Sequence, residues 1–265
     1  MQYKITILGC GGSAGVPSIE NGWGSCNPNN PKNYRTRTSM FLEVLNHNIL
    51  FDVGPDFRTQ ALLNNIKKID SLLFTHPHAD HIYGLDDIRS INRTMNKAID
   101  TYLSKETYET LQKAFHYIFL TNDNKLNHDT FYKPVLNFNV VDYFDNFTLN
   151  NGKISIKTTK HNHGRIDTMG YVIDGRIGYA TDFVTMDSKS IEAYKNLDLL
   201  IISAFTKNPH ICHMTLEEVI SLVQNQLKPK QAILTHMGVG LDYEEISNIL
   251  PSNIKMGFDG LVVVV

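Results

Sequence analysis

The chain has 265 residues, 42% of them hydrophobic, and a formal net charge of −2, which is enough apolar material for one large domain or two small ones. It has no basic tail or long Lys/Arg run to draw it towards nucleic acid; no run is long enough to span a membrane, and the opening MQYKITILG reads as a strand, not a signal peptide. Three cysteines, Cys10, Cys26 and Cys212, with no C-x-x-C spacing, argue against a disulfide framework and fit a reducing cytoplasm.

KITIL, MFLEV and ILFDV read as early strands, the last two joined by LNHN as a hairpin-like connection. SLLF follows as a short buried strand. After Ser104, KETYETLQKAFHYIF predicts a helix. From about Thr121 to Asn151 the chain is rich in Asn, Asp, Tyr and Phe and reads as an irregular insertion followed by strands. ISIKTT, GYVID, IGYA and LLII are the next strands. In TLEEVISLVQNQL, Thr215 and Glu218 form a capping-box pattern, and Leu216, Val219, Ile220, Val223 and Leu227 share one helical face. AILT and the closing LVVVV complete the set. Strands outnumber helices and helices interrupt them, which gives α/β or α+β with two sheets.

Three histidines and an aspartate crowd into THPHADH, Thr75 to His81, directly after SLLF. Neutral imidazole and carboxylate are the usual ligands of zinc-like ions. The spacing H-x-H-x-D-H lets His76 and His78 project the same way from an extended segment, while Asp80 and His81 turn towards a neighbouring point. That suits two adjacent ions better than one. With 11 histidines in the chain, a shuffled sequence would show this motif only about once in a thousand trials, so a solvated His-rich loop is a poor account of it.

One loop does not complete two coordination shells. The same grammar, an apolar strand with a ligand at its end, recurs in RIGYATD with Asp182 and in QAILTH with His236. KHNHG offers His161 and His163 after ISIKTT. A carboxylate has two oxygens, so Asp182 is able to bridge two ions. Alone, each of these is more readily a turn or surface residue; beside the cluster they become candidate ligands.

His76, His78, Asp80, His81, then a later His, Asp182 and His236 resemble, in that order, the ligand pattern of the metallo-β-lactamase superfamily. GCGGSAGVP, NHG and MGY around His163, CHMTLEEV, AILTHMG and the closing GFDG further resemble its phosphoribosyl cyclic phosphate phosphodiesterase branch, a neighbour of the tRNA 3′-processing endonucleases. The resemblance covers nearly the whole chain. It implies an α/β fold, the four-layer αβ/βα sandwich, as a single domain over 1–265 with the site along one edge of both sheets. It implies that one ion takes His76, His78, His163 and Asp182, and the other Asp80, His81, Asp182 and His236. His163 is preferred to His161 because the family's ligand precedes a Gly or Ser and then a Gly-Tyr pair, here Gly170-Tyr171. Cys26 stands alone where some members carry a cysteine-rich site, so a structural zinc is not expected.

Mixed nitrogen and oxygen ligands suit two divalent ions, Zn²⁺ or Mn²⁺. Two such ions about 3.5–4 Å apart hold a water between them and lower its pKa towards 7, and the resulting hydroxide attacks phosphorus. Asp80 would also orient that nucleophile. His213 in ICHMT matches the branch's non-ligand histidine and is the expected proton donor to the leaving alkoxide; the Thr215-capped helix beside it favours an anion. His210 matches nothing and reads as an exposed loop residue. Arg35 and Arg37 are candidates to clamp a phosphate or to sit in solvent. Asp52 and Asp259 are candidates to hold ligand histidines from behind. GCGGSAGVP fits no nucleotide-loop pattern; its glycines read as allowing close backbone approach to the site. The expected function is hydrolysis of a small or cyclic phosphodiester, such as a cyclic ribose phosphate or nucleotide. RNA 3′-end cleavage is the alternative, disfavoured by the acidic balance; a non-catalytic metal-binding member is another. No membrane partner is expected, and a homodimer is left open.

Overall fold

Several early strands are apolar on both faces, the pattern of a sheet covered on each side. The computed structural model describes residues 1–119 and 133–265, and in it these strands serve two cores. Ile5, Ile7, Met40, Leu42, Ile49, Phe51 and Leu73 enter one; Leu8, Phe41, Leu50, Leu72 and Phe74 enter the other.

The first sheet contains β1 (Tyr3–Gly9), β2 (Ser39–Val44), β3 (His47–Phe51), β4 (Ser71–Leu73), β5 (Ile99–Leu103) and β6 (Leu136–Val140). The second contains β7 (Asn146–Leu149), β8 (Ile154–His163), β9 (Ile166–Ile173), β10 (Ile177–Ala180), β11 (Thr185–Met186), β12 (Leu199–Ser203), β13 (Gln231–Thr235) and β14 (Ile254–Met256). The last strand, β15 (Leu261–Val264), returns to pair with β1. The first sheet runs β15-β1-β2-β3-β4-β5-β6, and the second β11-β8-β9-β10-β12-β13-β14 with β7 also on β8. Each is antiparallel at one end and parallel at the other: β3 to β6 are parallel in the first, and β10, β12, β13 and β14 in the second.

Helices α1 (Phe57–Leu63), α2 (Ala79–Ile82), α3 (Ile88–Met95) and α4 (Lys105–Ala114) share the second core with the first sheet. Helices α5 (Ser188–Tyr194), α6 (Leu216–Leu222) and α7 (Tyr243–Ser247) pack with the second sheet. The layers therefore run helix, sheet, sheet, helix, the expected sandwich. No helix among the described residues is long and apolar enough to cross a membrane.

Local chemistry sets the helix ends. Ser104 caps α4 by accepting from the Thr107 N–H, and the helix stops at Ala114, short of the predicted run, passing into a 3₁₀ turn at His116–Phe119. The Thr215–Glu218 box caps α6, which continues as a π turn over Val223–Leu227 until Lys228 takes a left-handed conformation. Residues 120–132, which cover the start of the stretch from about Thr121 to Asn151, lie outside the described residues; strands β6 and β7 occupy its later part. Strands β5, β11 and β14 go beyond the sequence reading. Two of them have only two or three residues, and IDTYL in β5 alternates with polar side chains.

The turn between β14 and β15 is tied across the molecule. Asp259 accepts from the backbone N–H of Cys10 (3.0 Å) and of Thr36 (2.7 Å), and from the Thr36 hydroxyl (2.6 Å). It holds no ligand histidine, which corrects the expectation for this residue: the loops it grips lie where the glycine loop leaves β1. Replacing Asp259 with Ala strands two backbone donors in a partly buried setting, and should lower unfolding free energy by about 2–4 kcal/mol. Urea denaturation measures this, and a loss under about 1 kcal/mol would show the tie to be dispensable.

Candidate metal centre

The candidate ligands leave the sheets at the carboxyl ends of strands. Thr75 and His76 follow β4, Asp182 follows β10, His236 follows β13, and His163 closes β8. Asp52 follows β3. Crevices outside the carboxyl ends of parallel strands are where open α/β sheets bind ligands. Asp52, Asp182 and His236 all have left-handed backbones, with φ of 59°, 55° and 53°. Such conformations are uncommon outside glycine and persist where the surroundings over-determine them. Asp182 is held by its N–H, which donates to Ser203 Oγ (3.1 Å), and by its carbonyl, which accepts from the Thr168 hydroxyl (2.9 Å).

Three overlapping groups of ligand atoms converge. His76, His78 and His163 form one, Asp80, His81, Asp182 and His236 another, and His163, Asp182 and His213 a third; within each group the atoms lie within 4.8 Å of one another. Asp182 faces the first two. Its Oδ2 is 3.0 Å from His236 Nε2 and 3.9 Å from the Nε2 of His76 and of His163; its Oδ1 is 3.5 Å from His81 Nε2. Asp80 Oδ2 lies 3.3 Å from His81 Nε2 and 3.4 Å from His236 Nε2.

The partners behind the rings assign which nitrogen faces inward. Thr75 Oγ1 donates to Asp52 Oδ2 (2.8 Å), so it accepts from His76 Nδ1 (3.0 Å). His81 Nδ1 donates to the same Asp52 oxygen (2.8 Å), and His163 Nδ1 to the Cys212 carbonyl (2.8 Å). The rings of His81 and His163 then aim Nε2 lone pairs at the Asp182 carboxylate, while His76 Nε2, 3.9 Å from it, accepts from His78 Nδ1 (3.0 Å). Lone pairs facing a buried anion repel it unless a cation lies between. His81 Nε2 is buried and has no hydrogen-bond partner. The residues therefore fit divalent ions, which mixed imidazole and carboxylate donors suit.

In the protein alone, protons serve as that cation. Burial pulls His81 down, but Asp80, Asp182 and Asp52 together outweigh it and hold the ring well above its ordinary value. His236 is raised in the same way, against burial, to about 9 by Asp182 and Asp80. Burial raises both carboxylates, yet the imidazoles win and hold Asp80 and Asp182 below the usual range. Burial dominates at His76 and His78 and lowers both, leaving the neutral rings a metal ion requires.

The remaining candidates separate cleanly. His161 is turned into the core, where its Nε2 meets the Thr159 hydroxyl (3.0 Å) and its ring packs on Phe183 and Tyr194. Burial lowers it to about 3. A Cβ on Gly170 would sit 2.3 Å from its ring, so that glycine makes room for His161. His213 lies at the centre, its ring 4.7 Å from His163 and 5.0 Å from His236. Arg35 does not reach the site. Its buried guanidinium donates to the carbonyls of Leu241 (2.6 Å) and Gly238 (3.3 Å) and to Asn33 Oδ1 (3.2 Å). It braces the loop after His236, which corrects both expected alternatives, a phosphate clamp and a solvent residue. Arg37 is partly exposed, with Nε on Asp56 (3.0 Å). The sequence reading missed Phe205, whose ring lies 4.5 Å from His213 and 5.8 Å from His236. The available signal was its place just after the strand LLIIS, the same grammar that marks Asp182 and His236.

A family model described as a beta-lactamase superfamily domain matches residues 47–237. The chain belongs to the beta-lactamase superfamily. The resemblance drawn from the motif is therefore correct, and the sandwich is the metallo-β-lactamase fold of that superfamily. Among solved structures of the superfamily, a diphosphatase of the PhnP family matches with a TM-score of 0.87 and 32% identity, covering 100% of this chain and 98% of its own. An octanoyltransferase of Porphyromonas gingivalis is 30% identical over 268 residues, 99% of this chain and 51% of that protein. A ribonuclease Z of Staphylococcus haemolyticus is 29% identical over 199 residues, 74% of this chain and 55% of that protein. The chain spans about half the length of these two curated relatives.

The contrast between the two histidines of β8 is testable. Replacing His163 with Ala should cut bound metal after dialysis against Zn²⁺ or Mn²⁺, because an inward Nε2 is lost. Replacing His161 with Leu should keep the metal and cost stability only. Elemental analysis of both variants decides, and metal loss from the His161 variant alone would reverse the assignment.

Proposed function

We propose that the chain is a two-metal hydrolase of small or cyclic phosphodiesters, working as one unit over 1–265 to which both sheets contribute. The observation that carries this reading is Asp182, one carboxylate within 3.9 Å of imidazoles from the first two ligand groups. His76, His78, His163 and Asp182 would hold one divalent ion, and Asp80, His81, Asp182 and His236 the other, with Zn²⁺ or Mn²⁺ as the ions. When bound, such ions neutralise phosphoryl oxygens and acidify a water held between them. Relatives named as a diphosphatase and as ribonuclease Z support phosphorus as the reacting centre.

The chain's own groups supply the rest. Asp80 would orient the attacking water through its carboxylate. Arg37 would meet a phosphate oxygen at the rim: its stem packs beside Gly54 next to the Asp80 carbonyl, and its guanidinium ends beside Gly15 of the glycine loop. His213 would protonate the leaving oxygen. Its Nδ1 is buried and has no hydrogen-bond partner. Burial pulls the ring down to about 3 in the protein alone, and the charge of a phosphodiester beside it works in the opposite direction.

Metal content, followed by a panel of cyclic phosphates, linear diesters and tRNA precursors assayed with Mn²⁺ and Zn²⁺, tests the reading. Turnover of tRNA precursors alone would replace it with RNA 3′-end cleavage, and bound metal without any turnover would make the chain a non-catalytic member.

His213→Ala should retain metal and lower kcat on the order of hundredfold or more for a diester with a poor alkoxide leaving group. With p-nitrophenolate, which leaves without a proton, the loss should be much smaller. Asp182→Ala should instead damage both substrates alike. Equal, large losses for His213→Ala on both leaving groups would make it a phosphate or metal ligand, and no loss on either would remove it from the mechanism.

A further inference from the structure

Beside the ligand groups stands a second cluster of rings. Phe205, two residues past the end of β12, lies 4.5 Å from His213 and 5.2 Å from His210, and His210 lies 5.1 Å from His213, all between ring centroids. His213 is buried at the inner end, Phe205 is half-buried, and His210 is exposed. The rings thus form a π-lined wall that starts on His236 and ends at the surface. The neighbouring Ile211 is 84% exposed and adds an apolar edge.

The wall is fixed. The Phe205 N–H donates to the Met214 carbonyl (3.3 Å), and its carbonyl accepts from the Gly238 N–H (2.9 Å). The Cys212 carbonyl accepts from His163, and the Cys212 N–H donates to His210 Nδ1 (3.3 Å). Gly164, with φ of +77°, has no side chain because the Cys212 sulfur lies 2.7 Å from where a Cβ would stand. A Cβ on Gly12 would lie 2.7 Å from the Phe205 ring, so the glycine loop closes against its edge. A pre-formed aromatic surface at a polar centre gives little to a bare phosphate. It suits a planar π-system a few bonds from the phosphorus, which is the geometry of a nucleobase on a ribose.

We infer that Phe205 and His210 form a stacking wall that makes base-bearing phosphodiesters, nucleoside cyclic phosphates and their linear counterparts, the preferred substrates. This rests on the phosphodiesterase reading above and narrows it. His210, which reads from the sequence as a solvent residue, becomes a specificity residue, and the proton donor His213 forms the inner end of the same surface.

The test compares adenosine 2′,3′-cyclic phosphate with the cyclic phosphate of 1-O-methylribose, which lacks the base, on the metal-loaded full chain. The readout is the ratio of their kcat/KM values. The wild type should favour the base-bearing diester, and Phe205→Leu and His210→Ala should each lower the ratio by about tenfold, the scale of one lost stacking contact. His210 is exposed, so its variant folds on general grounds, and thermal melts and metal content check the Phe205 variant. A wild-type ratio near one, or variants that slow both substrates in proportion, overturns the inference and leaves the phosphodiesterase reading standing. No turnover of either diester by the metal-loaded wild type overturns the inference, and the phosphodiesterase reading falls with it only when linear diesters are not turned over either.

Discussion

The arrangement depends on one buried carboxylate. Asp182 is almost fully enclosed, and imidazole nitrogens approach it from His76, His81, His163 and His236. A buried anion is costly unless paired. Three of these rings, His81, His76 and His163, have outer nitrogens already committed to Asp52, Thr75 and the Cys212 carbonyl, while His236 Nδ1 is buried without a partner. The rings therefore present lone pairs, and only protons or metal ions satisfy both sides. Asp52 carries much of this load, because a single oxygen holds His81 directly and His76 through the Thr75 hydroxyl.

The fold meets that constraint by convergence of strand ends. Parallel pairing of β3 with β4 places Phe51 opposite Leu73, so Asp52 and Thr75 come off adjacent strands and bond to each other. Parallel pairing of β10, β12 and β13 does the same for Asp182, Phe205 and His236. Left-handed residues at Asp52, Asp182 and His236 then turn the chain sharply where each strand ends. That strain is tolerated because the apolar strands behind are packed on both faces and cannot yield.

Side chains that announce themselves by type and spacing were legible in the sequence; roles set by facing direction were not. H-x-H-x-D-H is local, so its convergence needs only one loop, and Asp182 and His236 share the simple signature of a ligand after an apolar run. His161 and His163 sit two apart on one strand, and spacing does not separate them; the core position over Gly170 and the reach of the strand end do. Arg35 and Arg37 are also two apart, and their fates diverge because the carbonyls of Gly238 and Leu241, some two hundred residues away in sequence, enclose one of them. Asp259 grips Cys10 and Thr36 for the same long-range reason. Phe205 and His210 carry no motif at all, since an aromatic ring near a metal centre is recognisable only once the centre exists.

The loop from Phe205 to His213 concentrates several of these dependencies. Its Cys212 carbonyl fixes the tautomer and direction of the His163 ring, His213 stacks on His236, and Phe205 packs against the glycine loop. Its Phe205 end is pinned to Met214 and to Gly238 just beyond His236, and next to its His213 end the Met214 N–H donates to the Phe183 carbonyl. A displacement of this loop would therefore disturb a candidate ligand, the candidate proton donor and the aromatic wall together. Substrate choice and metal geometry are in that sense one property of the chain: a change that reshapes the wall also loosens His163 unless the Cys212 carbonyl stays in place.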